Sequence, residues 1–247
     1  MLYDRPLLRS ALVAILAPTL VTVTVSPWVV HSLALSDSFL PRLLGLLAVG
    51  GILVLYGLPA HGPYHSFGAA NCVTLIRAAL VAFLAALLFE RAALQMQIVV
   101  LGAAIIAAAL DAVDGWLARR TRMASAFGAR FDMETDALFI LVLCVWAWHL
   151  NKAGPWVIAG GLLRYAFVLG AVLVPSLRAP LPESLRRKTI AALQMVALLL
   201  VICPFVPAPW SAAIAAAALL ALSISFLTDT RWLLLRATDL KSTGARA

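Results

Sequence analysis

Five of the eleven carboxylates in this 247-residue chain lie close together, at Asp111, Asp114, Asp132, Glu134 and Asp136. Asp111 and Asp114 are three residues apart and Asp132 and Asp136 four apart, so on helices each pair shares one face. If a short turn joins the two helices and they lie antiparallel, all four carboxylates converge on one spot, with Glu134 facing elsewhere. Four unpaired negative charges in one place repel one another, and a pair of hard divalent cations with oxygen ligands resolves that repulsion. The neighbouring residues suit a bound anion. Gly115, Ala118 and Gly128 are small where bulk would block the carboxylates, and glycine admits close approach to the backbone. Arg119, four residues after Gly115, offers a planar fork to a phosphate, while Ser125 offers a hydroxyl or a helix N-cap. Together these residues suggest Mg²⁺ or Mn²⁺ holding a diphosphate.

The elements that carry these residues are apolar. The chain is 64% hydrophobic and 12% charged, with a mean hydropathy of +1.00. A soluble domain is roughly 45–50% apolar and 25% charged, so this one has too little polar surface to face water on all sides. The apolar residues come in runs long enough to cross a hydrocarbon core as helix, at about 8–30, 40–59, 71–89, 95–113, 131–150, 155–176, 188–204 and 209–229. The expected fold is an all-α polytopic membrane protein of about eight transmembrane helices, which excludes a soluble enzyme, a disordered tail and a disulfide scaffold. A carboxylate close to a bilayer costs several kcal/mol unless it is paired or metal-bound, which marks the Asp cluster as functional.

Charge sets the orientation. Fourteen of the nineteen Lys and Arg residues fall on one set of ends and loops: Arg5 and Arg9; Arg119, Arg120, Arg122 and Arg130; Arg178, Arg186, Arg187 and Lys188; Arg231, Arg236, Lys241 and Arg246. Only Arg42, Arg91 and Lys152 fall on the other, and Arg77 and Arg164 lie inside segments. With an even number of spans, the positive-inside rule puts both termini and the Asp cluster in the cytoplasm. The first segment resembles a signal peptide in its basic flank, but it is long and ends in no persuasive small-x-small cleavage site, so it is read as a membrane helix. The net charge of +8 reflects cytoplasmic loops and anionic headgroups, with membrane lipids as partners and no nucleic acid.

Other marked residues have plain readings. Cys72, Cys144 and Cys203 lie in apolar runs as small hydrophobes. His61 and His65 lack a third ligand nearby and do not make a metal site. Most tryptophans stand near segment ends, as interfacial aromatics do, and Trp116 packs at the membrane surface.

The string Asp111-x2-Asp114-Gly115-x2-Ala118-Arg119-x8-Gly128-x3-Asp132-x3-Asp136 resembles the signature of the CDP-alcohol phosphotransferase family at all eight specified positions. Upstream, Asn71-x2-Thr74-x2-Arg77 is similar to the stretch that opens the first core helix in many members. The resemblance implies a six-helix core over about 61–235, preceded by a helix pair over 1–60 and followed by a cytoplasmic tail, 236–247. It also implies the reaction. A CDP-linked lipid binds at the cytoplasmic surface, an acceptor alcohol attacks the β-phosphorus, and CMP leaves. Asp111, Asp114, Asp132 and Asp136 would then hold two Mg²⁺ or Mn²⁺ ions, with Asp136 also the base. Gly115, Ala118, Arg119, Ser125 and Gly128 would contact the CDP-lipid, with Asn71 and Thr74 near the nucleotide.

The acceptor is less legible. Arg164 in mid-segment, and Arg186, Arg187 and Lys188 at the start of the seventh, match regions where family members contact an acceptor phosphate. Lys188-Thr189-x4-Gln194 only loosely resembles the glycerol-phosphate branch, and Tyr165 replaces that branch's acidic residue. A small anionic or phosphorylated alcohol is expected, with CDP-diacylglycerol as donor. CDP-choline- or CDP-ethanolamine-type donors with a lipid acceptor use the same signature. An intramembrane prenyltransferase also uses two Asp-rich motifs, but far apart in the chain. A cation transporter would favour broken helices and repeats, which are not seen. The family implies a homodimer, and the short Ala- and Leu-rich chain suggests a bacterial inner membrane.

Overall fold

The computed structural model describes residues 5–121, 123, 125–179, 182 and 184–244, and their side chains except at 119, 175, 178 and 237–244. Among the described residues there is no strand, and the regular elements are helices. They are α1 (Arg5–Leu33), α2 (Phe39–Gly57), α3 (Ala69–Leu87), α4 (Leu94–Thr121), α5 (Ala126–His149), α6 (Ile158–Leu173), α7 (Leu185–Ile202) and α8 (Ala208–Gly244). Short 3-10 turns at Leu58–His61, Pro155–Val157 and Pro175–Arg178 join some of them.

The protein is an all-helical, polytopic membrane protein, but the span count differs from the expected eight. Six helices among the described residues are long and apolar enough to cross a bilayer: α1, α2 with its 3-10 turn, α3, α4, α6 with its preceding turn, and α8. The two that fall short carry charge in their first half. α5 opens on Asp132, Glu134 and Asp136, and α7 on Arg186, Arg187 and Lys188. These charges are what lower the apolarity of the two helices. Large exposed hydrophobics such as Val13, Leu20, Ile52 and Leu53 line the outer faces, as a lipid-facing surface requires.

The chain divides into two compact units, 1–142 and 143–247. In the first, α3 packs closely on α4 and α2, and α1 on α2. Lipid tails are as apolar as the side chains, so tight backbone approach rather than water exclusion holds such helices together. Gly51 shows this on α2, where a Cβ would stand 3.1 Å from the Ile15 side chain of α1. A core of Leu7 and Ala11 from α1, Val54 from α2, Leu58, Phe67, Leu75 from α3 and Phe127 from α5 closes one end of the unit. The Phe67 N–H donates to Ser10 Oγ across this core at 2.9 Å. Gly68, at φ +83°, turns the chain into α3 in a region that side chains rarely adopt. At the start of the α1–α2 and α3–α4 loops, Glu90 accepts from Ser36 N, Ser36 Oγ and Arg42, tying the two loops together.

In the second unit, α7 packs along α8, and α6 touches α8. Lys152 Nζ donates to the carbonyls of Pro204 and Val206, and Ser211 Oγ donates to the carbonyl of Lys152. These bonds fix the α5–α6 and α7–α8 turns to each other.

Candidate active site

α3 supplies the framework of the site. Asn71, Thr74 and Arg77 recur at intervals of three, so they rise along one helix face, and all three are buried. Asn71 Nδ2 donates to the Phe67 carbonyl at 2.6 Å, which fixes its amide. Thr74 Oγ1 donates to Asp114 Oδ2 at 3.1 Å.

Arg77 is the centre of the cluster. Its side chain is 1% exposed, and its guanidinium meets all four expected aspartates. Nη1 donates to Asp114 Oδ2 at 2.6 Å and to Asp132 Oδ1 at 2.8 Å. Nη2 lies 2.9 Å from Asp111 Oδ1 and donates to Asp136 Oδ1. Asp111 and Asp114 come from α4 and Asp132 and Asp136 from α5, so the two pairs meet through an arginine on a third helix. Burying a guanidinium is costly unless charged partners surround it, and a planar fork can serve several carboxylates at once.

One cation does not balance four carboxylates. Carboxylate oxygens of Asp111, Asp114 and Asp132 lie within 4.8 Å of one another, an all-oxygen donor set of the kind hard divalent cations take. Asp114 is buried, whereas Asp111, Asp132 and Asp136 keep 45%, 43% and 36% of their side-chain surface exposed. The cluster is therefore anchored on its buried side and open on the other. These residues fit a divalent metal ion.

The start of α5 borders this cluster. Ser125 Oγ accepts the Gly128 N–H at 2.9 Å, three residues on, which is N-cap geometry. A Cβ on Gly128 would stand 2.8 Å from Asn71 Oδ1 and 3.2 Å from Ser125 Oγ, so the missing side chain lets α3 and α5 approach. His61 is fully buried, with Nδ1 2.8 Å from Ser125 Oγ and Nε2 2.9 Å from the Ser66 carbonyl. On α4, Gly115 and Ala118 are half-buried in the turns after Asp111. The Arg119 side chain lies outside the described residues. Arg120 lies over the Trp116 ring at 5.0 Å, on the outer face of α4.

The basic residues expected to meet the acceptor lie in the second unit. Arg164 is half-buried on α6, and Lys188 is exposed on α7. Arg186 donates to Asp229 Oδ1 at 2.6 Å and to Ser225 Oγ at 3.1 Å, both on α8. Arg187 donates to the Pro182 carbonyl and lies 3.7 Å from Asp229.

Two residues of the site escaped sequence reasoning. Arg77 stands in the Asn71-x2-Thr74-x2-Arg77 stretch and as a charge inside a segment, but neither reading puts it among the four aspartates. The available signal was its place three residues after Thr74 within an apolar run, where a lone cation needs a reason. His61 gave no signal, because its partner Ser125 is 64 residues away.

The model of the CDP-alcohol phosphatidyltransferase family matches residues 67–228 of the chain. No curated protein and no solved structure matches it.

Proposed function

The chain belongs to the CDP-alcohol phosphatidyltransferase family, transferases of substituted phosphate groups in lipid biosynthesis, and from that premise we propose that it moves a phosphatidyl group from CDP-diacylglycerol to a small anionic or phosphorylated alcohol. The observation that carries the proposal is the meeting of Asp111, Asp114, Asp132 and Asp136 around Arg77. Two Mg²⁺ or Mn²⁺ ions held by the four aspartates would neutralise the diphosphate and the charge that grows on CMP. Asp136, open to solvent on one side, takes the proton of the acceptor hydroxyl. The acceptor oxygen then bonds to the β-phosphorus as the bond from that phosphorus to the CMP oxygen breaks. Asn71, Thr74, Gly115, Ala118, Arg119, Ser125 and Gly128 hold the CDP-lipid, and Arg164, Arg186, Arg187 and Lys188 hold the acceptor. Within that reading 1–60 is an added helix pair, both termini face the cytoplasm of a bacterial inner membrane, and the working form is a homodimer.

The experiment is CMP release by the purified protein with Mg²⁺ or Mn²⁺, from CDP-diacylglycerol, across glycerol 3-phosphate, inositol, inositol phosphate, serine and choline. Acceptor-dependent CMP that falls about 10²- to 10⁴-fold in Asp136→Asn, the range typical of a lost general base, is expected. Turnover only with CDP-choline or CDP-ethanolamine and a lipid alcohol would overturn the choice of donor. No turnover with any pair would overturn the catalytic reading.

A further inference from the structure

His61 lies outside the stretch that matches the family, in the 3-10 turn after α2, yet it ends against the cap of α5. Its ring is fully buried beside those of Tyr64 at 5.5 Å, Phe127 at 5.6 Å and Phe67 at 6.4 Å. An imidazole buried in this way needs partners for both nitrogens, and both have them. The Ser66 carbonyl can only accept, so Nε2 carries the proton it receives. In the neutral ring Nδ1 is then the acceptor, and the Ser125 hydroxyl donates to it. Ser125 Oγ accepts the Gly128 N–H at the same time. The hydroxyl of Ser125 is therefore held from both sides, its proton aimed at His61 and its oxygen at the start of α5. Through Gly128, that turn rests on Asn71, one helical turn before the Thr74 that bonds Asp114.

We infer that His61 is a positioning residue for the CDP-lipid site, orienting the Ser125 hydroxyl and with it the first turn of α5. The inference rests on the proposed function, in which Ser125 contacts the donor lipid. With its proton on His61 and one lone pair on the Gly128 N–H, Ser125 Oγ makes that contact as an acceptor, from a hydroxyl or amino group of the nucleotide rather than from a phosphate oxygen. A ring that only filled space among aromatics would need no hydrogen-bonding atom at the Nδ1 position. A positioning ring needs that atom and would tolerate change at Nε2 better. Asparagine and glutamine separate the two, because the asparagine amide mimics Nδ1 and the glutamine amide mimics Nε2.

The test is CMP release by the full chain as donor and acceptor concentrations are varied separately, in wild type, His61→Ala, His61→Asn and His61→Gln. Loss of one net hydrogen bond predicts a donor KM raised about three- to tenfold in His61→Ala and His61→Gln, with acceptor KM unchanged. His61→Asn should stay within about twofold of wild type, and in a Ser125→Ala background the His61 substitutions should no longer move donor KM. An active wild type in which Asn and Gln behave alike, or in which both KM values move together, overturns the inference and leaves the proposed function standing. A wild type that releases no CMP from any donor overturns both.

Discussion

Arg77 Nη1 lies 2.6 Å from Asp114 Oδ2, and both side chains are almost fully buried, at 1% and 5% exposure. The pair anchors the site, since the other three aspartates meet the same buried guanidinium but remain partly exposed themselves. Thr74 gives the same Asp114 oxygen a second donor, so both of these hydrogen bonds to Oδ2 come from α3. Positioning and access are thus divided: α3 fixes the inner carboxylate, and the outer ones are open to a ligand.

Removing Arg77 should expose that division. Taking one partner from a buried ion pair costs about 3–5 kcal/mol, because the remaining charge is left uncompensated. Arg77→Ala is therefore expected to unfold at lower temperature in detergent, and to regain more stability on adding Mg²⁺ than wild type does. Arg77→Lys should fall between, since an ammonium lacks the fork that serves several carboxylates. Equal Mg²⁺-induced shifts in wild type and Arg77→Ala would show that the aspartates do not share their cation demand with Arg77.

At Gly128 two effects oppose each other. Alanine is favoured over glycine by about 1 kcal/mol inside a helix, and by less in the first turn, where Gly128 lies. Its Cβ, however, would stand 2.8 Å from Asn71 Oδ1, and Asn71 is held by its own bond to Phe67. Overpacking of this kind costs about 1–3 kcal/mol, so net destabilisation is expected. Thermal unfolding of Gly128→Ala against Gly128→Ala/Asn71→Ala checks it, because removing the amide should recover the loss. Without recovery in the double variant, Asn71 is not what excludes a side chain at 128.

These residues show what the sequence could and could not convey. The aspartates were legible because helical spacing alone puts each pair on one face, and Ser125 was legible as a cap because capping is local. Gly128 was legible as small, but the neighbour that makes it so comes from α3. Arg77 was obscured because hydropathy says nothing of where a long guanidinium arm reaches, and four other arginines lay closer in sequence. The helices were legible as apolar runs. The number suited to spanning was not, since α5 and α7 combine apolar length with several charges in their first half.

Glu90 gives a pH dependence away from the site. Burial pushes its carboxyl up, but hydrogen bonds from the Ser36 hydroxyl and N–H and from Arg42 outweigh this and hold it below the usual glutamate range. A group whose value is depressed by folding stabilises the fold above its unfolded value, about 4.3, and loses that contribution as pH falls through the folded one. The stability gap between wild type and Glu90→Gln should be constant above about pH 5 and shrink below about pH 4. Melting curves across that range check it, and a gap that widens on acidification would contradict the role of Ser36 and Arg42.

Arg186 is where a structural and a functional reading can be separated. Its contacts with Ser225 and Asp229 join α7 to α8, but the side chain is 38% exposed, and pairs of that exposure are worth about 0–1 kcal/mol. As a clasp alone, Arg186 would matter little, and Arg186→Ala and Asp229→Asn would have the same small effect on melting. As an acceptor contact it would matter more, since a hydrogen bond from a charged group contributes about 1.5–3 kcal/mol, or roughly a 10- to 150-fold change in affinity. The proposed function predicts that Arg186→Ala raises acceptor KM in that range, with donor KM and melting temperature nearly unchanged. Asp229→Asn, which releases the guanidinium without removing it, should leave acceptor KM within a few-fold of wild type. If the two substitutions instead match in every readout, Arg186 serves the helix pair and leaves the acceptor set, and Arg164→Ala becomes the substitution expected to raise acceptor KM.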